Sequence, residues 1–311
     1  MAGPPVTRAD AEAAAVRLAG HVRPTPVIEA GAGSFGVEQG LTLKLELLQH
    51  TGSFKPRGAF NRVLSADVPE AGVIAASGGN HGAAVAYVAR SLGLPAEIFV
   101  PETTSPVKVG RLRGFGIEPT LGGALYDDAQ AACEIRATET GALMVHPYDH
   151  PAVVAGQATV AREFEADAPE LDTVLVAVGG GGLVAGVAAW YDNRVRVVAV
   201  EPQTSRCLGA ALDAGHPVEV GVSGVASDSL GARQVGALAF AIAATSVAFA
   251  VAVADEAIVA AQRALWADLR VMTEPGGATA LAALMTGAYR PEPGERVGVI
   301  VCGANVDPAT I

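Results

Sequence analysis

Short apolar runs alternate with longer stretches of helical periodicity along almost the whole chain. "LTLKLE" (residues 41–46), "GVIAAS" (72–77), "AEIFV" (96–100), "ALMV" (142–145), "TVLVAV" (173–178), "VRVVAV" (195–200) and "VGVIVC" (297–302) have the length and apolar character of buried strands. Between them lie helix-length segments such as "NHGAAVAYVARSLG" and "PAVVAGQATVAREFEA". This alternation predicts an α/β fold of mostly parallel sheets covered by helices on both faces. The units are too many for one ordinary sheet, and the Pro-rich "HPYDHP" (146–151) offers a crossing between two lobes. The expected division places residues 1–71 and 150–311 in a larger lobe and 72–149 in a smaller one.

One stretch needs a membrane check. "ALAFAIAATSVAFAVAVA" (237–254) carries no charge and has about the minimum length of a spanning helix. It is rich in alanine and lacks flanking Lys/Arg and aromatic anchors. Its continuation, "VAFAVAVADEA", alternates like a strand entering a helix, so a core segment is expected.

Composition narrows the classes. With 311 residues, half of them apolar, the chain can bury one large core or two smaller ones. A net charge of −11 argues against nucleic acid or anionic membrane as a partner, because both call for basic patches. Cys133, Cys207 and Cys302 are odd in number and widely spaced. They make neither a disulfide framework nor a metal motif, which points to a reducing cytoplasm. The start has no charged-then-apolar leader pattern, so no signal peptide is expected. The chain stops soon after its last predicted strand, so no appended regulatory domain is expected either.

Ligands of open α/β sheets bind at the carboxyl ends of strands, often against helix N-termini. In "VAVGGGGLVAG", Gly179, Gly180, Gly181 and Gly182 stand between a strand and a helix, where bare backbone N–H groups and the helix dipole suit a phosphate. The same residues read as a flexible loop if no ligand is involved. Gly180, Gly182 and Ala185 also satisfy G-x-G-x-x-A, and Glu201 follows at the end of the next strand. That spacing keeps a dinucleotide open, with an acid for ribose hydroxyls. A second strand–turn–helix, "AASGGNHGAAVAYVA", places Ser77, Gly78, Gly79, Asn80 and His81 at its turn, either as donors to a carboxylate or as an ordinary cap. In "HTGSFKPRGAF", Lys55 is stiffened by Pro56 among apolar neighbours, an odd setting for a surface lysine.

"SFKPRGA", "SGGNHG" and "GGGGL", in this order, resemble the fold-type II pyridoxal-phosphate enzymes, tryptophan synthase β-like in architecture. Within them the match is to the serine/threonine dehydratase group, which includes serine racemase. The similarity runs from about residue 20 to 308 and takes in "HPYDHPAVVAGQAT", "TEPGGATALAAL" and "VIVCGANVD". It implies that Lys55 is the Schiff-base lysine and that Phe54 lies against the ring of pyridoxal 5'-phosphate. It further implies that Gly179, Gly180, Gly181, Gly182 and Leu183 hold the phosphate, Asn80 the ring hydroxyl, and Ser77, Gly79, Asn80 and His81 the substrate carboxylate. Cys302 falls where the family has a serine or a cysteine facing the pyridine nitrogen; without that likeness it reads as a small buried hydrophobe. A thiol is a weak donor, so the site favours expulsion of a β-leaving group over transamination.

The implied activity is β-elimination of L-threonine and/or L-serine to a 2-oxo acid and ammonia by a homodimer. Alternatives are a related lyase or racemase for another β-substituted amino acid, an NAD-linked oxidoreductase, and a non-catalytic cofactor-binding protein. Two departures refine this. Serine racemase takes its second base from the residue two before the asparagine, here Gly78, so racemisation is disfavoured. Relatives bind a cation near an "EP" motif that continues with acidic residues. Here "EPQTSRCLGAAL" has Ser205 and Cys207 instead, and no divalent metal is expected. Tyr148 and the loop 226–236 are expected to border the substrate side chain, and Glu274 either approaches the cofactor or caps the next helix.

Overall fold

The computed structural model describes residues 6–307; residues 1–5 and 308–311, at the two ends of the expected larger lobe, lie outside it. The strands are β1 (Val27–Ala30), β2 (Leu41–Lys44), β3 (Val73–Ala76), β4 (Ala96–Val100), β5 (Thr120–Leu121), β6 (Leu143–Met144), β7 (Thr173–Ala177), β8 (Arg196–Pro202), β9 (Phe249–Val253) and β10 (Val297–Ile300). The helices that open the chain are α1 (Arg8–Leu18), α2 (Lys55–Leu64), α3 (Asn80–Leu92), α4 (Pro106–Gly114), α5 (Tyr126–Thr140) and α6 (Pro151–Asp167). They are followed by α7 (Gly182–Tyr191), α8 (Cys207–Ala214), α9 (Ser227–Leu230), α10 (Ala237–Ser246), α11 (Asp255–Leu269) and α12 (Pro275–Met285).

Two sheets form, in the orders β1-β2-β10-β7-β8-β9 and β5-β4-β3-β6. Every strand pair is parallel except β1–β2, as the alternation of strands and helices demands. Each of the seven apolar runs contains a strand; β8 runs on to Pro202, whereas β3 and β10 stop one and two residues early, leaving Ser77 and Cys302 just past their strands. The runs did not anticipate β1 and β5. β1 is half-buried, and β5 is two exposed residues, so neither carries the apolar signal of a central strand. The uncharged stretch 237–254 divides into α10 and β9, with the break at Val247. Among the described residues no helix is long and apolar enough to cross a membrane.

Small residues let the helices approach closely. A Cβ on Gly186 of α7 would lie 2.7 Å from the Ala158 nitrogen of α6, and one on Gly156 of α6 would lie 2.5 Å from the Arg57 carbonyl oxygen of α2. Helix α2 sits between the two cores. Its Ala59, Phe60 and Val63 join Val85 and Val88 of α3 over the four-stranded sheet. Its other face carries Arg57, which is 1% exposed and forks onto fully buried Glu46, Nε to Oε2 at 2.9 Å and Nη2 to Oε1 at 2.6 Å. Glu163 of α6 accepts from Arg57 at 2.9 Å and from buried Lys44 of β2 at 2.8 Å. This network ties β2, α2 and α6 together two residues beyond Lys55.

Breaking a buried pair typically costs about 3–5 kcal/mol, and removal of Glu46 strips Arg57 of its bidentate partner while leaving it Glu163 alone. Glu46→Ala is therefore expected to lower unfolding stability in urea by about 3 kcal/mol, the lower end of that range. Glu118→Ala, in the exposed pair with Arg113, should leave stability unchanged.

Candidate active site

The carboxyl ends of β3, β7 and β10 and the first turns of α2, α3, α7 and α12 converge on one cleft. Lys55 opens α2 with Pro56 behind it, a position where a missing N–H costs the helix nothing. The residues before it are stitched to the segment after β10. Ser53 pairs with Gly303 in an isolated antiparallel bridge, the Phe54 N–H donates to the Cys302 carbonyl at 3.2 Å, and the Ala304 N–H donates to the Gly52 carbonyl at 2.9 Å. Lys55 Nζ is 5.2 Å from the Phe54 ring centre and donates to the Pro147 carbonyl at 2.8 Å. Burial lowers the Lys55 pKa to about 8, against opposing pulls from Cys302 and Glu274.

Residues 179–182 form the turn from β7 into α7, with Gly181 at a φ of 92° that favours glycine. Bulk presses on this turn from outside. A Cβ on Gly180 would fall 2.3 Å from Cδ1 of Tyr148, and one on Gly179 would fall 3.0 Å from Cα of Leu230. The N–H groups of residues 180–183 have no protein acceptor among the described residues, so the helix end is open to an anion. Phe54, Lys55, Asn80, Tyr148, the four glycines, Leu183, Ser229, Leu230, Glu274, Gly276 and Cys302 line one cavity, open to solvent.

The family of pyridoxal-phosphate dependent enzymes matches residues 18–303. The chain belongs to that family. It is 39% identical over 289 residues to the biosynthetic L-threonine dehydratase of Escherichia coli K12, covering 91% of this chain and 56% of that one. It is 37% identical over 302 residues to the phenylserine dehydratase of Ralstonia pickettii, covering 94% and 91%. The structure of maize serine racemase matches it with a TM-score of 0.93 at 32% identity, covering 99% and 96%. This chain thus spans little more than half the length of the E. coli enzyme.

The cleft fits the family's cofactor on its own chemistry: a buried amine of lowered basicity and a glycine turn with free N–H groups line the same cavity. Cys302 Sγ donates to the Gly276 carbonyl at 3.4 Å, and burial pushes its thiol up to about 12, so it stays protonated. Glu274 stands at the N-cap of α12 but does not cap it. Its Oε1 accepts from Asn80 Nδ2 at 2.5 Å inside the cleft. Burial raises this carboxyl to about 7.

Of the loop before α3, only Asn80 lines the cavity. The Ser77 hydroxyl accepts from the Gly79 N–H at 3.1 Å. The His81 ring turns away, Nε2 donating to the Val145 carbonyl at 2.7 Å, and burial followed by the Lys55 charge lowers its pKa to about 3. A side chain on Gly78 would start 2.8 Å from Cγ2 of Thr104. Glu201 is fully buried, and its two oxygens accept the N–H groups of Leu208 and Gly209 at 2.7 and 2.8 Å, so it caps α8 and is spent for a ribose. Tyr148 and the loop 226–236 do meet at the cavity, through the Tyr148 ring, Ser229 and Leu230. Sequence reasoning missed Asn305, whose Nδ2 donates to Asn80 Oδ1 at 2.6 Å; its place in "VIVCGANVD" was the only signal.

Gly180→Ala must displace the Tyr148 ring or the turn itself. Equilibrium dialysis should show roughly tenfold weaker pyridoxal phosphate binding, about 1.4 kcal/mol. Unchanged affinity would contradict the close packing.

Proposed function

We propose that this protein catalyses pyridoxal-phosphate-dependent β-elimination of L-threonine and/or L-serine, giving a 2-oxo acid and ammonia. The observation that carries this reading is Lys55: a buried amine, pKa about 8, on the same cavity as an unpaired glycine turn at the start of α7. Dehydratases among its relatives support the reaction class.

When bound, pyridoxal phosphate supplies a carbonyl carbon for amines and a ring that withdraws electrons from the substrate α-carbon. Lys55 Nζ would hold the cofactor through that carbon and, as a free amine with its pKa lowered to about 8, would serve as the neutral base for the substrate α-proton. The N–H groups of residues 179–183 would hold the phosphate, Phe54 would lie against the ring, and Asn80 would donate to its hydroxyl. The Cys302 thiol, held protonated by burial, would offer the pyridine nitrogen only a weak donor, a setting that suits expulsion of a β-leaving group better than transamination. Ser77, Gly79 and the main-chain N–H groups of Asn80 and His81 receive the substrate carboxylate at the first turn of α3. The imidazole of His81 has no part in this, since its Nε2 is committed to Val145. Water lost across Cα–Cβ is regained when the released enamine hydrolyses, so the net change is substrate to 2-oxo acid plus ammonia. The three buried free cysteines support a cytoplasmic setting, and we extend the proposal to a homodimer.

Protein loaded with cofactor should form 2-oxo acid from L-threonine or L-serine, and Lys55→Ala should lower the rate by about 10³-fold or more. Turnover retained in that variant would remove Lys55 from its role. No D-serine should accumulate from L-serine. The pH dependence follows from the amine: only the neutral form attacks, so the rate of cofactor capture should rise with pH and level off above about 8. A rate still climbing at pH 10 would mean that Lys55 is an ordinary lysine.

A further inference from the structure

Four groups run in line across the cleft. Asn305 Nδ2 donates to the Thr51 carbonyl at 2.8 Å and to Asn80 Oδ1 at 2.6 Å, and Asn80 Nδ2 donates to Glu274 Oε1 at 2.5 Å. The polarity of this chain is fixed at one end. A backbone carbonyl has no hydrogen to give, so the Asn305 atom facing Thr51 is its nitrogen. That nitrogen carries two hydrogens, and the second is aimed at Asn80, which must answer with oxygen. The far side of the Asn80 amide is then NH₂. One of its hydrogens goes to Glu274, and one remains for the cavity.

The local backbone is arranged around Asn305. Thr51 has a φ of 62°, unusual for a β-branched residue. A Cβ on Gly52, at a φ of 75°, would lie 2.7 Å from Asn305 Oδ1. Gly303 is equally constrained, since its Cβ would fall 1.9 Å from Glu274 Oε1.

We propose that Asn305 is a positioning residue which, by relaying the polarity of the Thr51 carbonyl, locks the Asn80 amide with a donor N–H facing the ring oxygen of the cofactor. This rests on the cofactor reading above. Without the lock only the Glu274 contact resists turnover of the amide, and a protonated Glu274 can donate to the Asn80 oxygen as well as accept from its nitrogen. The amide can then offer its oxygen to the cavity, which would repel an anionic ring oxygen. A held donor favours that anionic form. The other charged and titratable groups facing the amide are Glu274, Lys55 and Cys302, with Arg111 acting on Glu274 from α4. All of them are kept by the variants below.

The readout is the pH midpoint of the near-visible absorbance of protein loaded with pyridoxal phosphate, together with cofactor affinity. Asn80→Ala sets the full effect of losing the donor. Asn305→Asp cannot donate to Thr51 or Asn80 and turns the Asn80 amide over. It should raise the midpoint by about one pH unit, approaching Asn80→Ala, and weaken cofactor binding roughly tenfold. Asn305→Leu releases the amide without reversing it and should give a smaller rise. If Asn305→Asp does not fold, Asn305→Leu carries the test alone. Wild-type midpoints in the Asn305 variants, beside a shifted Asn80→Ala, overturn the relay and leave the cofactor site intact. A shift in Asn305→Asp with none in Asn80→Ala also overturns it, because Asn305 would then act by another route. A wild-type protein that develops no absorbance band with the cofactor overturns the reading of the site, and the relay falls with it.

Discussion

The structure depends on a short main-chain seam between the residues before Lys55 and those after β10. Three backbone contacts, from Gly52, Ser53 and Phe54 to Ala304, Gly303 and Cys302, join segments from opposite ends of the chain. The seam sets the start of α2 and with it the amine. It also brings Cys302 to the same cavity as the glycine turn and sets Asn305 behind Asn80, which lines that cavity. Its glycines admit no substitute at such distances: the space a Cβ would need at Gly52 and Gly303 is taken by Asn305 and Glu274. The ion network around Arg57 secures the other side of the same helix.

Burial acts on the cleft's ionisable groups in one sense. It lowers Lys55 and raises Glu274 and Cys302, so each moves toward its uncharged form. The N–H groups of the glycine turn are fixed dipoles and do not titrate. A site of this kind meets an anionic ligand with oriented donors and keeps its amine free to react.

Patterning made the α/β class and eight of the ten strands legible, seven as apolar runs and β9 by its alternation. It did not show β1, half-buried at an edge, or β5, two exposed residues. Lys55 and the glycine run stood out because their local contexts are improbable for surface residues. The fates of Glu274, His81 and Asn305 were not legible. Each is decided by a partner far away in sequence: Asn80 for Glu274, Val145 for His81, and Thr51 for Asn305. Glu201 shows the converse, since its spacing suited a ribose while its carboxylate closes a helix seven residues on. Spacing along a chain identifies candidates, and long-range hydrogen bonding assigns them.

The order of the larger sheet has a consequence for biosynthesis. β10 lies between β2 and β7, yet it leaves the ribosome after β1, β2, β7, β8 and β9. Until it arrives, that sheet exists as two separate pieces, each with an open parallel edge and none of the seam in place. The four-stranded sheet needs no later residue to complete its strand order. Completion of the larger sheet therefore waits for β10, with long loop closures and slow kinetics. The nascent chain holds two complementary strand edges apart, which leaves it open to capture by other chains until the last strand inserts.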